Sequence, residues 1–232
     1  MLYALPAALV LGLFSSLHCV GMCGGIMGAL TMGLSPEVRG DRRRLLLYVG
    51  GYNLGRILSY ALIGALVGAV GAGLFAVIDP ERGPMVLRSI AALLVAAVGL
   101  HLAGWFPRFA TVERLGVPLW RRLEPLGRRL FPVSSLPAAF AYGLIWGWLP
   151  CGMVYSAVIL AAGQGGALPG ALFMLAFGIG TLPAVAGAGA AAGLVARLRR
   201  IPHLSRVLGL ILVVLGLAGF WYSTNHPIEL GI

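Results

Sequence analysis

Six long apolar stretches divide this chain, and almost no charge interrupts them: Leu2–Leu34, Leu45–Ile78, Leu87–Phe106, Leu136–Ala162, Leu168–Ala196 and Val207–Trp221. About 20 consecutive apolar residues suffice for a helix to cross a bilayer core. In hydrocarbon every backbone N–H and C=O must be satisfied within the segment, so the pattern predicts helices. Hydrophobic residues make up 59% of the 232 residues and charged ones 10%, where a soluble domain carries roughly 45–50% and about 25%. That balance excludes an ordinary soluble enzyme and a disordered chain. Glycine is abundant (35 residues) but shows no G-X-Y period, which excludes a collagen-like rod. The expected fold class is all-α: a polytopic membrane protein with six transmembrane helices. The first, second and fifth stretches exceed one bilayer thickness, so they must tilt, break or run along the interface. Met1–Val10 has no basic n-region and its apolar run continues far beyond a leader's usual length, so the start reads as a span.

The basic excess, 17 Arg against 7 acidic residues, would suit nucleic acid if it were clustered on a soluble face. It is placed by topology instead. The first connection holds Arg39, Arg42, Arg43 and Arg44; the third holds Arg108, Arg114, Arg121, Arg122, Arg128 and Arg129; the fifth holds Arg197, Arg199, Arg200 and Arg206. The second has Arg82 and the helix-edge Arg88 beside Asp79 and Glu81, and the fourth has no charge. This alternation predicts Arg-rich loops on the cytoplasmic side and both termini outside. The partner implied is the lipid bilayer with its anionic head groups, not nucleic acid. In the third connection, Trp120, Leu123, Leu126 and Leu130 alternate with arginines; the segment reads either as a basic amphipathic helix on the membrane surface or as a solvated linker.

The halves resemble each other. Gly12–Cys19 reads GLFSSLHC and Gly143–Cys151 reads GLIWGWLPC, each followed closely by Gly-Met. Gly55 and Gly180 each lead a Gly/Ala-rich stretch, and Leu87–Leu100 matches Leu204–Leu217 in apolar pattern. Three spans per copy force the copies into opposite orientations, an inverted-topology repeat of the kind common in transporters. The expected division is 1–106 for the first three-helix repeat, 107–135 for a basic cytoplasmic linker and 136–232 for the second repeat. In such folds the working site lies near the midplane, at the repeat interface, on interrupted helices. Cys19 and Cys151 are equivalent positions at that depth.

No Asp or Glu falls inside a span: Glu37, Asp41, Asp79, Glu81, Glu113, Glu124 and Glu229 all lie in loops or the tail. Carboxylate-coupled ion transport lacks its usual ligands, hydrolysis lacks a base at depth, and hard cations lack an oxygen cage. What remains is soft. Cys19 and Cys23 share a helix face one turn apart, His18 and Met22 form the adjacent pair, and Cys151-Gly152-Met153 follows Pro150 in the fourth span. Thiolate and thioether ligands select Cu(I) or another soft transition metal, with Cys19, Cys23 and Cys151 as the core and His18, Met22 and Met153 as auxiliary ligands. The same thiols also suit thiol–disulfide exchange, with Cys19 or Cys23 pairing with Cys151. The third thiol and the methionines are surplus to a redox pair and favour the metal. The bland reading is that free Cys and Met fill gaps in apolar cores. Gly21, Gly24 and Gly25 allow close helix approach and weaken the helix; Pro150 and Gly152 predict a kink beside Cys151.

Arg56 is the one formal charge well inside a span. Tyr48, Tyr52, Arg56 and Tyr60 form a stripe at four-residue steps, with Asn53 beside it. One reading is a polar cavity wall of Arg56, Tyr52 and Asn53, offering an anion contact. The other is an arginine that snorkels to the cytoplasmic face, with the tyrosines as interface anchors. Trp146 and Trp148 are too deep for an interface belt and are expected to wall the site.

The string His18-Cys19-Val20-Gly21-Met22-Cys23-Gly24-Gly25 resembles the HCxGMCGG signature of small bacterial membrane proteins labelled sulfite exporter TauE/SafE family or urease accessory protein UreH-like transmembrane domain. These are similar to the CcdA/DsbD transmembrane thiol-reductant conduits, six-helix inverted repeats with one cysteine in each half. The resemblance covers essentially the whole chain. It implies that Cys19 or Cys23 and Cys151 match the conduit's redox pair; here the first span carries a second cysteine, and Cys151 is followed by Gly-Met rather than a proline-rich turn. Relatives with the signature are associated with heavy-metal handling and copper supply to respiratory oxidases.

The reading that results is a multi-pass protein of the bacterial inner membrane whose cysteine centre binds and translocates Cu(I), a transporter without an organic cofactor. Its alternative is a CcdA-like conduit for reducing equivalents, a thiol-disulfide oxidoreductase in that case. A second alternative is a sulfite-type anion exporter. The soluble partner would be a metallochaperone for the first and a thioredoxin-like protein for the conduit.

Overall fold

A computed structural model describes residues 4–77, 82–105, 117–149, 151–183, 185 and 204–225, without the side chains of residues 16–27, 29, 75–77, 82, 84, 102, 119, 204, 205, 208 and 222. These residues are helical, with turns and no strand among them. The helices are α1 (Ala4–Met32), α2 (Pro36–Gly40), α3 (Arg42–Val77), α4 (Arg82–Leu102), α5 (Val117–Arg129), α6 (Leu136–Trp146), α7 (Gly152–Ala162), α8 (Ala167–Gly180) and α9 (Leu204–Asn225).

The long first and second stretches are unbroken rather than interrupted. At about 1.5 Å per residue, α1 and α3 run roughly 44 and 54 Å. Gly21, Gly24 and Gly25, expected to weaken α1, do not interrupt it. The fourth stretch behaves differently, and α6 and α7 are two separate helices of 11 residues. The fifth stretch is interrupted after α8 at Thr181.

One stretch among the described residues, Arg42–Leu74 of α3, is long and apolar enough by itself to cross a bilayer. Its two faces differ. Leu54, Leu58, Leu62, Leu66, Val70 and Leu74 recur every four residues and are all exposed. A continuous exposed leucine row would be a liability in water and is ordinary against lipid tails. Leu62→Ala is therefore expected to change the thermal midpoint in lipid nanodiscs by less than about 1 kcal/mol equivalent, since no packing partner is lost. A loss of several kcal/mol would place a protein neighbour on that row.

The opposite face of α3 meets other helices through backbone. A Cβ at Gly55 would strike the carbonyl of Phe140 and come within 3.1 Å of Gly143 C; one at Gly143 would strike the carbonyl of Tyr52. Gly51 faces Ala139 and Ser59 faces Gly147, so α3 and α6 run in the same direction. Gly64 meets Gly170 and Gly68 meets Gly166, so α3 and α8 run in opposite directions. Between α1 and α8, Gly12 and Gly180 approach so closely that each one's Cβ would sit 3.0 Å from the other's Cα. Helices α4 and α9 are antiparallel, with Gly99 on Gly209 and Gly216 on Ala92. Such small-residue seams are how helices gain dispersion contacts in a medium that supplies no hydrophobic drive between them.

The third connection contains α5, a basic amphipathic helix and not an unstructured linker. Arg121, Arg122, Arg128 and Arg129 are exposed, and Gly127 is buried against Tyr142 and Ile145 of α6. Trp120, Tyr142, Ile145 and Trp146 wall a cavity of about 270 Å³ between α5 and α6, with the Glu124–Arg128 ion pair (2.7 Å) at its edge.

Candidate functional site

The gap between α6 and α7 is built by local chemistry. Trp148 N donates to Ile145 O (3.1 Å) and Leu149 N to Trp146 O (3.0 Å), which tightens the end of α6 into a turn. Pro150 itself lies outside the described residues. A proline offers no amide, and the residue before one is pushed out of helical conformation, so a helix cannot continue through this point. Cys151 then takes extended backbone (φ −135°, ψ 132°) as the N-cap of α7, and its carbonyl accepts from Tyr155 N at 3.0 Å. The expected kink is a full break.

Cys151 is only 6% exposed. It belongs to a core cluster with Ala8 of α1, Tyr60 of α3, Val95 and Val98 of α4, Phe177 of α8 and Leu212 of α9. Met153, named as an auxiliary ligand, is fully buried in the same cluster. Gly152 is buried, and its carbonyl accepts from Ser156 Oγ at 3.0 Å.

The side chains of His18, Cys19, Met22 and Cys23 lie outside the described residues, so the expected convergence of three thiols does too. Their backbone belongs to α1. Among the described side chains of α1, those of Ala4, Leu5, Ala8, Leu11 and Phe14 pack on the Cys151 cluster. Cys19 and Cys23 follow Gly12 by about two and three helical turns, beyond its contact with Gly180. Among the described residues there is no cluster of three His, Cys, Asp or Glu side chains able to hold a metal.

The second feature is Arg56. It does not snorkel: it is 1% exposed, among the largest fully buried side chains described. It lies 14 residues into α3, about 21 Å from the Arg-rich start and beyond the side chain's reach to that end. Its Nη2 donates to Thr181 Oγ1 at 2.6 Å, and Thr181 Oγ1 donates to Gly178 O at 2.7 Å. The guanidinium carbon lies 5.5 Å from the Tyr60 ring centroid and 5.8 Å from that of Trp146, within cation–π range. No carboxylate pairs with it among the described residues. Tyr52 and Asn53 are buried beside it, and Tyr52 makes an edge-on contact with Tyr142. Tyr48, by contrast, reaches the exposed carbonyl of Ser134 at 3.2 Å. Trp146, which carries one of the two ring contacts, is buried as expected, and Trp148 is half-buried.

Thr181 was not singled out by composition or motif, yet a signal for it existed. Gly180 follows Gly55 by 125 positions, and the same offset carries Arg56 onto Thr181. The two hydrogen-bonded residues are thus each other's counterparts in the repeat alignment.

No curated protein and no solved structure matches the chain. The family described as cytochrome C biogenesis protein transmembrane region matches residues 7–218, nearly the whole sequence. An all-helical chain with a lipid-exposed leucine row and a cysteine buried at a helix break therefore belongs to the cytochrome c biogenesis transmembrane-region family of membrane proteins.

Proposed function

We propose that this protein is a transmembrane thiol–disulfide conduit, with Cys151 and one of Cys19 and Cys23 as its redox pair. The observation that carries the reading is Cys151: a thiol at a break in a membrane helix, inside the core that six helices share, in a chain of this family. A cysteine that merely filled space would not need the break. The reaction balances as two exchanges. A thiolate of a reduced dithiol protein on one face attacks the Cys151 disulfide and forms a mixed disulfide; its second thiol then resolves the bond. The donor leaves oxidised, and the pair holds two thiols, two electrons and two protons richer. The pair next reduces a disulfide protein on the opposite face by the reverse order of steps.

The repeat supports this reading through its contacts. If Gly12 corresponds to Gly143 and Gly55 to Gly180, the contact Gly12–Gly180 has Gly143–Gly55 as its counterpart, and both occur. If Leu87 corresponds to Leu204, then Gly99–Gly209 has Gly216–Ala92 as its counterpart, and both occur. Two halves so related offer the pair equivalent environments toward the two faces, which is what passage from one side to the other requires.

The test is trapping. With a single cysteine of the pair replaced by alanine, the reconstituted protein should accumulate a mixed disulfide with a thioredoxin-like dithiol protein, visible by mass on non-reducing gels. Cys151→Ser should abolish net transfer from that dithiol outside a vesicle to a disulfide inside. If all three thiols stay reduced beside an oxidised partner while the protein binds Cu(I) stoichiometrically, and that binding vanishes in Cys151→Ser, the thiols serve a soft-metal cargo and the conduit reading fails.

A further inference from the structure

The cavity of about 270 Å³ between α5 and α6 has two chemically distinct parts. Three aromatic rings, Trp120 of α5 and Tyr142 and Trp146 of α6, wall it together with Ile145, and its surface is mostly apolar. Its charged members are Glu124 and Arg128, and the Arg128 side chain is 79% exposed, so this edge is the mouth. The volume falls just under the roughly 300–1,000 Å³ of a site that encloses a whole small molecule. It suits part of one: a flexible apolar segment whose remainder lies outside.

The mouth says what that remainder carries. Helix α5 holds four arginines and one glutamate, a net charge of +3 over 13 residues, and all four arginines are exposed. Arg121 and Arg128, two turns apart, fall on the helix edge that also bears Glu124. Arg128 donates from Nε and Nη2 to Glu124 Oε1 at 3.1 and 2.7 Å. A guanidinium has five N–H donors, so that ion pair does not exhaust it. On the same helix Leu126 is 51% exposed, as suits a basic amphipathic helix lying at the level of lipid head groups. A cation is repelled by this rim, and a neutral hydrocarbon would make no use of it. An amphiphile with an anionic head and an apolar chain matches both parts, and basic pockets beside membrane helices take anionic phospholipid in this way.

We propose that the α5–α6 cavity is a binding site for one anionic phospholipid, with its phosphate on Arg121 and Arg128 and a segment of acyl chain among Trp120, Tyr142 and Trp146. The chain reaches more than the surface. Trp146 walls the cavity, faces the Arg56 guanidinium at 5.8 Å, and accepts from Leu149 N in the turn that leads to Cys151. The lipid therefore packs on the residue that ties α6 to the break. This site stands whether the thiols carry electrons or metal.

Native mass spectrometry of the full chain, released from a nonionic detergent at low salt, tests it. The protein should retain one dioleoylphosphatidylglycerol about ten-fold more tightly than dioleoylphosphatidylcholine, which has the same chains and no net charge. Arg121→Gln/Arg128→Gln should weaken phosphatidylglycerol retention about ten-fold and leave phosphatidylcholine unchanged; both side chains are exposed, so folding is preserved. Arg42→Gln/Arg43→Gln removes the same charge from the exposed start of α3 and should change retention less than about two-fold. Ile145→Trp, which fills the cavity, should weaken phosphatidylglycerol retention several-fold. Glycerophosphoglycerol, the same head without chains, should not compete. Equal retention of the two lipids, or equal losses in the two arginine pairs, would overturn the proposal. So would an Ile145→Trp variant that binds as before, which would put the chain elsewhere. Competition by glycerophosphoglycerol at the lipid's own concentration would overturn it too, since the site would then take a soluble anion.

Discussion

Gly143→Ala is expected to destabilise the protein by about 3 kcal/mol, the upper range for forcing a methyl group into a filled contact. The new Cβ would meet the Tyr52 carbonyl, with Tyr52 Cα 3.0 Å away, so backbone and not a flexible side-chain tip stands in its path. The helices would have to separate, and the loss would spread along the α3–α6 seam to the Arg56–Trp146 contact. Gly12→Ala, its counterpart in the other half, meets the Phe177 carbonyl and should cost a similar amount. Gly50 and Gly73 provide the controls, since a Cβ there meets nothing within 4 Å. Alanine at those positions should be neutral or stabilise by up to about 1 kcal/mol through helix propensity. Reversible unfolding in mixed micelles measures all four. If Gly143→Ala behaves like Gly50→Ala, the close backbone approach is not what joins α3 to α6.

Thr181→Val should cost about 2 kcal/mol, because it removes a hydroxyl that accepts from a buried guanidinium while leaving the charge in place. Arg56→Met should cost less than about 1 kcal/mol, since it deletes charge and partner requirement together and leaves an apolar side chain against Tyr60 and Trp146. In the Arg56→Met background, Thr181→Val should then be nearly silent, as the threonine hydroxyl no longer has a charge to serve. A double-mutant cycle reads the coupling directly. Additive effects would mean that the 2.6 Å contact carries no energy.

Much of the architecture was legible because hydrocarbon is a strict solvent. Apolar length located the helices, and Pro150-Cys151 located the break, since a proline removes an amide whatever surrounds it. Local rules failed where tertiary packing decides. The glycines at 21, 24 and 25 lower helix propensity, but a long segment in lipid has no better partner for its backbone than itself, and α1 stays continuous. Arg56 invited a snorkelling reading because a single sequence shows depth and not lateral neighbours. Thr181, Tyr60 and Trp146 come from three different places in the chain, and only their assembly makes a buried guanidinium tenable. Thr181 was within reach of sequence logic once the repeat offset was applied to Arg56. The α5 amphipathicity was visible too, but its attachment through Gly127 to Tyr142 depends on the geometry of α6.

The two kinds of cysteine-bearing segment differ mechanically. Cys19 and Cys23 ride on a stiff rod of 29 residues, whose bending would rupture ladder bonds in a solvent that offers no replacement. Cys151 sits at a joint between two short levers of 11 residues each, where the ladder is already discontinuous. Swinging one lever there sacrifices few internal bonds. Under the proposed exchange, in which the sulfurs meet and part in each cycle, the travel would belong to residue 151, with the rod as the fixed anvil against which it strikes.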